Sequence, residues 1–421
     1  MKQAGRKSFH ASWLISMKNK GGYRVNFVFI SPNFPENYWL FCQGLMRLGV
    51  HVCGVGDAPY ASLSDECKQS LTEYYQVSSL ENIDEIIKAL ETFTKHYGKI
   101  DGVESNNEYW LRQDARLREV FHIETGIQLD EIDNIQRKSK MKAAYAKAGI
   151  KTARWCLSRD RDELLAFANE VGFPIIAKQD IGVGASNTHK FRQLEEYIAF
   201  IDQGFDEEMI FEEFIHGDVT SYDGIVNDQG EILFETSHVY TSSIMDAVNE
   251  HQGIGCYSRL TIPEDLKQAG RKTVAAFNTR SRFFHFEFFI LKEDQAGVGK
   301  KGEILGLEVN MRPPGSFLPD LINYANDFNI YQLWADMIVH NHSSITTQRP
   351  YSAVFIGRKD CVAYQYSLAE IREIFQASII DIRRLPSVLS AAMGDVVVLA
   401  RFKSIPEVER FVTLCSATVN S

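Results

Sequence analysis

The sequence lacks a long apolar run. No apolar stretch approaches the ~20 residues that a helix needs to cross a bilayer, so no membrane partner is expected. Near the N-terminus the short segment ASWLISM is followed by KNK without a small-residue cleavage site, which argues against a signal peptide. We expect residues 1–22 to be a disordered lead and Met17 to be an alternative translation start.

Paired cysteines and an excess of positive charge are also missing. The seven cysteines are scattered and include no C-x-x-C pair, so neither a disulfide framework nor a zinc site is expected, and a reducing cytoplasm fits. The formal net charge is −10 at pH 7, which argues against a general nucleic-acid surface. We therefore expect a cytoplasmic protein without a nucleic-acid partner.

Two common nucleotide-binding motifs are absent. The sequence has no G-x-G-x-x-G after its first strand and no G-x-x-x-x-G-K-[ST], so neither dinucleotide binding nor a Walker A loop is expected. Hydrophobic residues make up 45% and charged residues 24% of the 421 residues, a composition typical of globular proteins. A chain of this length predicts roughly three domains.

The hydrophobic pattern predicts mixed α/β structure. VNFVFI, a helical stretch YWLFCQGLMRLG and VHVCGVG form a β-α-β unit, and a second helical stretch leads into IDGVES. We therefore predict a parallel α/β domain over residues 23–135. Strand-like and helical segments mix after residue 341 and predict a small α+β end domain over 341–421.

Acceptor side chains alternate with apolar ones in EVNMRPPG. Glu308 and Asn310 share one face of the predicted strand, and Arg312 continues that line. The preceding strand FFHFEFFIL alternates in the same way around Glu287. We predict that the two strands pair as an antiparallel hairpin, which would bring the two glutamates close together.

Two carboxylates in this position need a cation or a shared proton. At ~5 Å they repel by about 3 kcal/mol at an effective dielectric constant of 20. With Asn310 they form a hard oxygen set that suits Mg²⁺, and the fork of Arg312 can hold a carboxylate or a phosphoryl group. The alternative is an exposed sheet face with solvated charges.

Two upstream segments have the composition of phosphate and nucleotide contacts. In IIAKQDIGVGAS, Lys178 ends an apolar strand and a glycine-containing loop follows, so a point charge and backbone N–H groups can meet phosphates. In FEEFIHGD, the backbone can contact an adenine edge and a carboxylate can hold ribose hydroxyls. The alternatives are a surface turn and a solvated strand end.

In chain order, these features resemble the ATP-grasp superfamily over about residues 23–340. The most specific feature is E-x-N-x-R after a glutamate on the previous strand, and Lys138 on a helix that ends at Gly149 is the next. R-P-P-G before an apolar helix resembles the carboxylate–amine ligases, particularly the L-amino acid ligases. The resemblance implies an N-terminal parallel α/β (pre-ATP-grasp) domain, a two-subdomain ATP clamp over 136–340 with its lid at about 150–215, and the small C-terminal α+β domain.

The resemblance also implies roles for individual residues. Arg312 and Lys178 would be catalytic, and Mg²⁺ or Mn²⁺ would be held by Glu287, Glu308 and Asn310. We add Arg259, His285 and Gly315 to Arg312 as predicted substrate contacts, against the alternatives of a surface arginine and a packed histidine. The predicted ATP contacts are Lys138, Lys178, Gly182, Gly184, Ala185, Ser186, Glu212, Glu213, Phe214, Ile215 and Asp218.

The implied activity is ligation of a small-molecule carboxylate to an amine. The carboxylate attacks the γ-phosphorus of ATP, the amine attacks the resulting acyl phosphate, and ADP and phosphate leave. A homodimer is compatible with the resemblance. The alternatives are bicarbonate activation, kinase-like phosphotransfer, and an ATP-binding scaffold without catalysis.

Overall fold

Three β-sheets organise the computed structural model, which describes residues 24–182, 187–241, 255–315, 317–385, 390 and 393–419. The expected disordered lead and the alternative start at Met17 lie outside these ranges. No described helix is long and apolar enough to span a membrane. The seven cysteines are all free thiols.

The N-terminal strands form a parallel sheet, which confirms the prediction from the β-α-β pattern. The strands lie in the order β3-β2-β1-β4, and helices precede or follow them in sequence. The continuous apolar runs of β1 and β2 are buried, as expected when helices cover both faces of a parallel sheet. The elements are β1 (Asn26–Ile30), α1 (Trp39–Arg47), β2 (His51–Gly56), α2 (Asp65–Gln69), β3 (Glu73–Gln76), α3 (Ile83–Tyr97), β4 (Gly102–Glu104) and α4 (Leu111–Val120).

A small antiparallel sheet follows, with the strand order β5-β8-β6-β7. Phe167, Tyr197 and Phe211 lie in the apolar core between this sheet and its two helices. Two other helices precede the sheet in sequence. The elements are α5 (Ile132–Gln136), α6 (Lys138–Lys147), β5 (Trp155–Leu157), α7 (Arg161–Val171), β6 (Ile175–Gln179), β7 (His189–Phe191), α8 (Leu194–Gln203) and β8 (Met209–Glu213).

The large sheet contains nine described strands in the order β14-β13-β9-β11-β12-β15-β17-β16, with β10 also paired to β9. The antiparallel pair β13–β14 confirms the predicted hairpin, and β9 and β10 also pair antiparallel. The strands are β9 (Gly217–Val226), β10 (Ile232–Thr236), β11 (His238–Tyr240), β12 (Gly255–Ser258), β13 (Arg282–Leu291), β14 (Ile304–Asn310), β15 (Ser352–Arg358), β16 (Ile379–Arg384) and β17 (Val396–Phe402).

Helices cover the large sheet and attach it to the N-terminal domain. Trp334 contacts the rings of Phe27, Phe29 and Phe41, with centroids 6.0, 6.3 and 5.0 Å away. Strands after residue 341 continue the large sheet, and the domain boundaries stay predictions. The helices are α9 (Glu264–Ala276), α10 (Leu318–Asn326), α11 (Ile330–His340), α12 (Leu368–Ile374) and α13 (Ile405–Ser416).

Candidate active site

Strands β13 and β14 place the predicted metal ligands side by side. Glu287 pairs with Glu308 in the register, and His285 pairs with Asn310. Directly opposed residues have Cβ atoms about 4.5–5.5 Å apart, which confirms the predicted proximity of the two glutamates. The register shifts directly after the glutamate pair, and a bulge at such a position changes the direction of side chains.

Lys138 lies beside this carboxylate pair. Its Nζ is 3.3 Å from Glu308 Oε1. Because Lys138 is the first residue of α6, its position depends on how that helix begins. Buried Asp180 accepts hydrogen bonds from the amide and hydroxyl of Ser139, at 2.7 and 3.0 Å, and so satisfies donors of the first helical turn. Asp180 follows β6, so it ties α6 to the strand that carries Lys178.

Two further lysines meet on one buried carboxylate. Glu212 lies between Lys142 Nζ at 2.8 Å and Lys178 Nζ at 2.9 Å. Burial alone would raise the pKa of Glu212, but the two lysines outweigh it and lower the pKa to about 2. Burial lowers the pKa of Lys142, whereas Glu212 and neighbouring carboxylates outweigh burial at Lys178 and raise its pKa.

Lys142 was missed by the sequence reasoning as an individual site residue. The available signal was its spacing of four from Lys138, which puts both on one helix face. Lys138 also donates to the Gly182 carbonyl at 3.2 Å. The other predicted loop residues, Gly184, Ala185 and Ser186, lie outside the described residues.

The remaining predicted adenine contacts are engaged within the protein. Glu213 accepts a hydrogen bond from Arg154 Nε at 2.7 Å. Gln295 donates both to Glu213 Oε1 at 2.8 Å and to the Phe214 carbonyl at 2.9 Å. Ile215 is buried in an apolar cluster. The role predicted for this segment in binding adenine stays a prediction.

For three predicted contacts, the described residues show no interaction with the Glu287–Glu308 pair. Asp218 is exposed and lies 2.7 Å from Lys292 Nζ. Arg259 follows β12, its Nε is buried without a hydrogen-bond partner, and burial lowers the pKa of its guanidinium. Gly315 is exposed. Their ribose and substrate roles stay predictions.

Arg312 connects β14 to the N-terminal domain. Its Nη2 donates to Asn310 Oδ1 at 3.3 Å, and its Nε lies 3.6 Å from Glu108 Oε2. That Glu108 oxygen is buried and has no hydrogen-bond partner among the residues that the structure describes. Burial raises the pKa of Glu108 to about 7, against the opposing effect of Arg312. Sequence reasoning missed Glu108, because no local pattern links it to a strand so far along the chain.

His285 lies in a buried polar network on the same face of the sheet. Asp223 Oδ2 accepts from Ser221 at 2.5 Å and contacts His238 Nδ1 at 2.7 Å, and Asp223 Oδ1 contacts His285 Nδ1. His285 Nε2 lies 3.4 Å from Glu287 Oε1. Burial would lower the pKa of His285, but the two carboxylates outweigh it and raise the pKa to about 9. Burial would raise the pKa of Asp223, but the histidines hold it well below its usual range.

The donor set fits a magnesium–nucleotide complex. Mg²⁺ is usually held by one or two protein carboxylates together with phosphate oxygens and water. Within the ranges that the structure describes, no group of three or more His, Cys, Asp or Glu side chains can hold a metal alone. Glu287, Glu308 and Asn310 stay a predicted ligand set that phosphates would complete, with Lys138, Lys142 and Lys178 nearby as cations.

A separate cleft of about 830 Å³ opens between α6 and α9. Its lining includes Lys140, Lys147 and Phe277, and it contains none of the predicted ATP, metal or substrate residues. This cleft therefore lies apart from the charged residues. The charged residues locate the candidate site, because they supply the groups that phosphates require.

No family model matches the chain. An alanine–anticapsin ligase of Bacillus subtilis is 24% identical over 248 residues, covering 52% of this chain and 50% of the relative. An L-arginine-specific L-amino acid ligase of Bacillus subtilis is 23% identical over 270 residues, covering 62% of this chain and 63% of the relative. The match thus spans about half to under two thirds of the length of these curated relatives.

Solved structures match over almost the whole chain. An L-amino acid ligase from Bacillus licheniformis has a TM-score of 0.69 at 15% identity, covering 93% of this chain and 97% of that structure. N5-carboxyaminoimidazole ribonucleotide synthetase from Thermotoga maritima has a TM-score of 0.64 at 16% identity, with 92% and 96% covered. The biotin carboxylase domain of a Hydrogenobacter thermophilus carboxylase, solved with MgADP and bicarbonate, has a TM-score of 0.63 at 14% identity, with 91% and 87% covered. These likenesses confirm the predicted fold.

Proposed function

From the premise of an ATP-grasp fold, we propose that this chain is an ATP-dependent carboxylate–amine ligase that releases ADP and phosphate. The observation that carries the proposal is a cluster of three lysines beside the Glu287–Glu308 pair. Lys138 lies 3.3 Å from Glu308, while Lys142 and Lys178 contact Glu212 and also interact electrostatically with Glu308. The curated ligases matched by sequence and the L-amino acid ligase matched by structure support this reaction, and the likeness to a biotin carboxylase domain keeps bicarbonate activation as the alternative.

The proposed chemistry needs no protein nucleophile, so catalysis depends on charge and position. A bound Mg²⁺, held by Glu287, Glu308 and Asn310, would neutralise phosphate charge and polarise the phosphoryl group. Lys138 and Lys178 would neutralise the remaining phosphate charge as the substrate carboxylate attacks. Because the acyl phosphate is hydrolysed by water, the site must be closed during the second step.

Amino acids are the substrates that the pocket charges favour. Arg312 and Glu108 present a guanidinium and a carboxylate 3.6 Å apart, and an amino acid carries the complementary carboxylate and ammonium. Among the described residues, the buried Glu108 Oε2 faces Arg312 but accepts no hydrogen bond, so it can accept one from that ammonium. The proposal includes a cytoplasmic location. The oligomeric state, for which the resemblance allows a homodimer, is a separate measurement.

Hydroxylamine trapping tests this function even while the amine substrate is unidentified. The protein is incubated with Mg-ATP, hydroxylamine and single amino acids, and both ADP and hydroxamates are measured. A ligase forms a hydroxamate together with ADP, because hydroxylamine intercepts the acyl phosphate. A stable phosphorylated product would show phosphotransfer instead, and ADP formation that depends only on bicarbonate would show bicarbonate activation.

Glu308→Gln tests the metal assignment. We expect ADP formation to fall by at least about 100-fold, since charge stabilisation of the phosphoryl group would be lost, while the fold is retained. Far-UV circular dichroism and thermal melting check the fold. Glu303→Gln is the control, because Glu303 lies just before the first residue of β14, at the opposite end from Glu308, and pairs with exposed Lys151. An unaltered rate in Glu308→Gln would overturn the assignment.

A further inference from the structure

We propose that Asp223 and His285 are positioning residues for Glu287. Asp223 fixes the orientation of the His285 ring, and His285 in turn holds the Glu287 carboxylate toward the divalent cation. The inference rests on the proposed function, because it needs a metal–nucleotide complex at this strand pair. It gives the predicted substrate contact His285 a different role.

The register of the large sheet sets up this arrangement. Asp223 of β9 lies opposite His285 of β13, and Ser221 lies opposite Glu287. Asp223, His285 and Glu287 therefore occupy neighbouring positions on one face of two paired strands. The paired backbone fixes the Cα positions, so only rotation about the side-chain bonds is left. Hydrogen bonds between the side chains can restrict this rotation.

The contact with Asp223 restricts rotation of the His285 ring. The Asp223 side chain is wholly buried and is surrounded by Ser221, His238 and His285. Once Nδ1 of His285 is held by Asp223, the opposite ring nitrogen must point away from it. That nitrogen, Nε2, lies 3.4 Å from Glu287 Oε1. Partners of this kind, one contact beyond a metal ligand, commonly change metal affinity by 10–100-fold.

His238 provides a matched comparison within the same network. It contacts the same Asp223 carboxylate through Nδ1 and is equally buried. Within the described part of the chain, its Nε2 has no hydrogen-bond partner and no ion pair with Glu287. Loss of His238 should therefore disturb the fold without changing the metal site, whereas loss of His285 should change both.

The experiment compares His285→Asn with His238→Asn. An asparagine amide can replace Nδ1 as a donor to Asp223 but is too short to replace Nε2. Mn²⁺ affinity is measured by electron paramagnetic resonance in the presence of ADP, and ADP affinity and the melting temperature are measured beside it. We expect Mn²⁺ affinity to fall about 10–100-fold in His285→Asn and in Asp223→Asn, and to change less than about twofold in His238→Asn.

A rescue variant separates positioning from folding. The longer amide of His285→Gln reaches the Nε2 position, so we expect it to recover Mn²⁺ affinity relative to His285→Asn, even if the asparagine variant folds poorly. Equal losses of Mn²⁺ affinity in His285→Asn and His238→Asn would overturn the proposal. Unchanged Mn²⁺ affinity in His285→Asn and His285→Gln would also overturn it. Failure of the unaltered protein to bind Mn²⁺ with ADP would instead overturn the proposed function.

Discussion

At the scale of single residues, Glu212 holds together the cationic side of the site. It forms ion pairs with Lys142 and Lys178, both of which are largely removed from solvent. Removing one partner of a buried ion pair leaves an uncompensated charge and typically costs about 3–5 kcal/mol. The free energy of unfolding should therefore depend strongly on this carboxylate.

Glu212→Gln is expected to lower the free energy of unfolding by about 3–5 kcal/mol at pH 7, measured by urea denaturation. The folded pKa of about 2 lies below the ordinary value of 4.5, so the stabilisation is present above pH 4.5 and is lost as pH falls toward 2. The exposed Glu207 gives a control variant, Glu207→Gln, expected to change stability by less than about 0.5 kcal/mol. A change as small as the control would contradict the buried triad.

Glu108 predicts a pH dependence of substrate binding. Its pKa of about 7 means that the carboxylate is protonated in more acidic solution, and only the ionised form can pair with a substrate ammonium. The KM for the amino acid should therefore rise as pH falls below about 7. In Glu108→Gln we expect a higher KM at pH 8 and loss of this pH dependence. The same KM profile in both proteins would exclude this role.

At the scale of elements, helix α9 packs unusually closely on β9. A Cβ atom added to Gly270 would come within 2.2 Å of the Tyr222 ring. Tyr222 is fully buried, and its hydroxyl is held by Glu235 at 2.5 Å, so the ring cannot easily move aside. The absence of a side chain at this position sets the distance between helix and sheet.

Gly270→Ala should therefore destabilise the protein, by about 1–3 kcal/mol, although the same change in an open helix is stabilising by about 0.5–1 kcal/mol. The free energy of unfolding from urea denaturation gives the sign. Ala275→Gly, on an exposed position of the same helix, is the control and should cost about 1 kcal/mol. Stabilisation by Gly270→Ala would show that the packing is looser than described.

Element-scale patterns explain what could be predicted from the sequence. The hairpin that pairs Glu287 with Glu308 was predictable, because polar and apolar residues alternate and a polar turn-rich segment joins the two strands. The contact of His285 with Asp223 was not, because β9 and β13 pair across a long sequence separation that periodicity does not specify. Glu212 was predicted to meet adenine, whereas its contacts with two lysines depend on how α6 and β6 approach β8.

At the scale of the whole molecule, the site lies where three parts of the chain meet. The large sheet supplies the carboxylates and Arg312, the small sheet and α6 supply the lysines, and the N-terminal domain supplies Glu108. The junction is itself charged: Glu104 of β4 forms ion pairs with Arg118 and Arg282, at 2.9 and 3.2 Å. The proposed ligation would require all three parts, because each contributes a different charged group to the candidate site.

The most direct test of the proposed ligation measures the stoichiometry of its products. Phosphate and ADP release from Mg-ATP is followed with pairwise mixtures of amino acids and small carboxylates, and products are identified by mass spectrometry. We predict release that requires both partners, with one ADP and one phosphate for each condensed amide. Tight Mg-ATP binding without release for any pair, or release without an amide product, would contradict it.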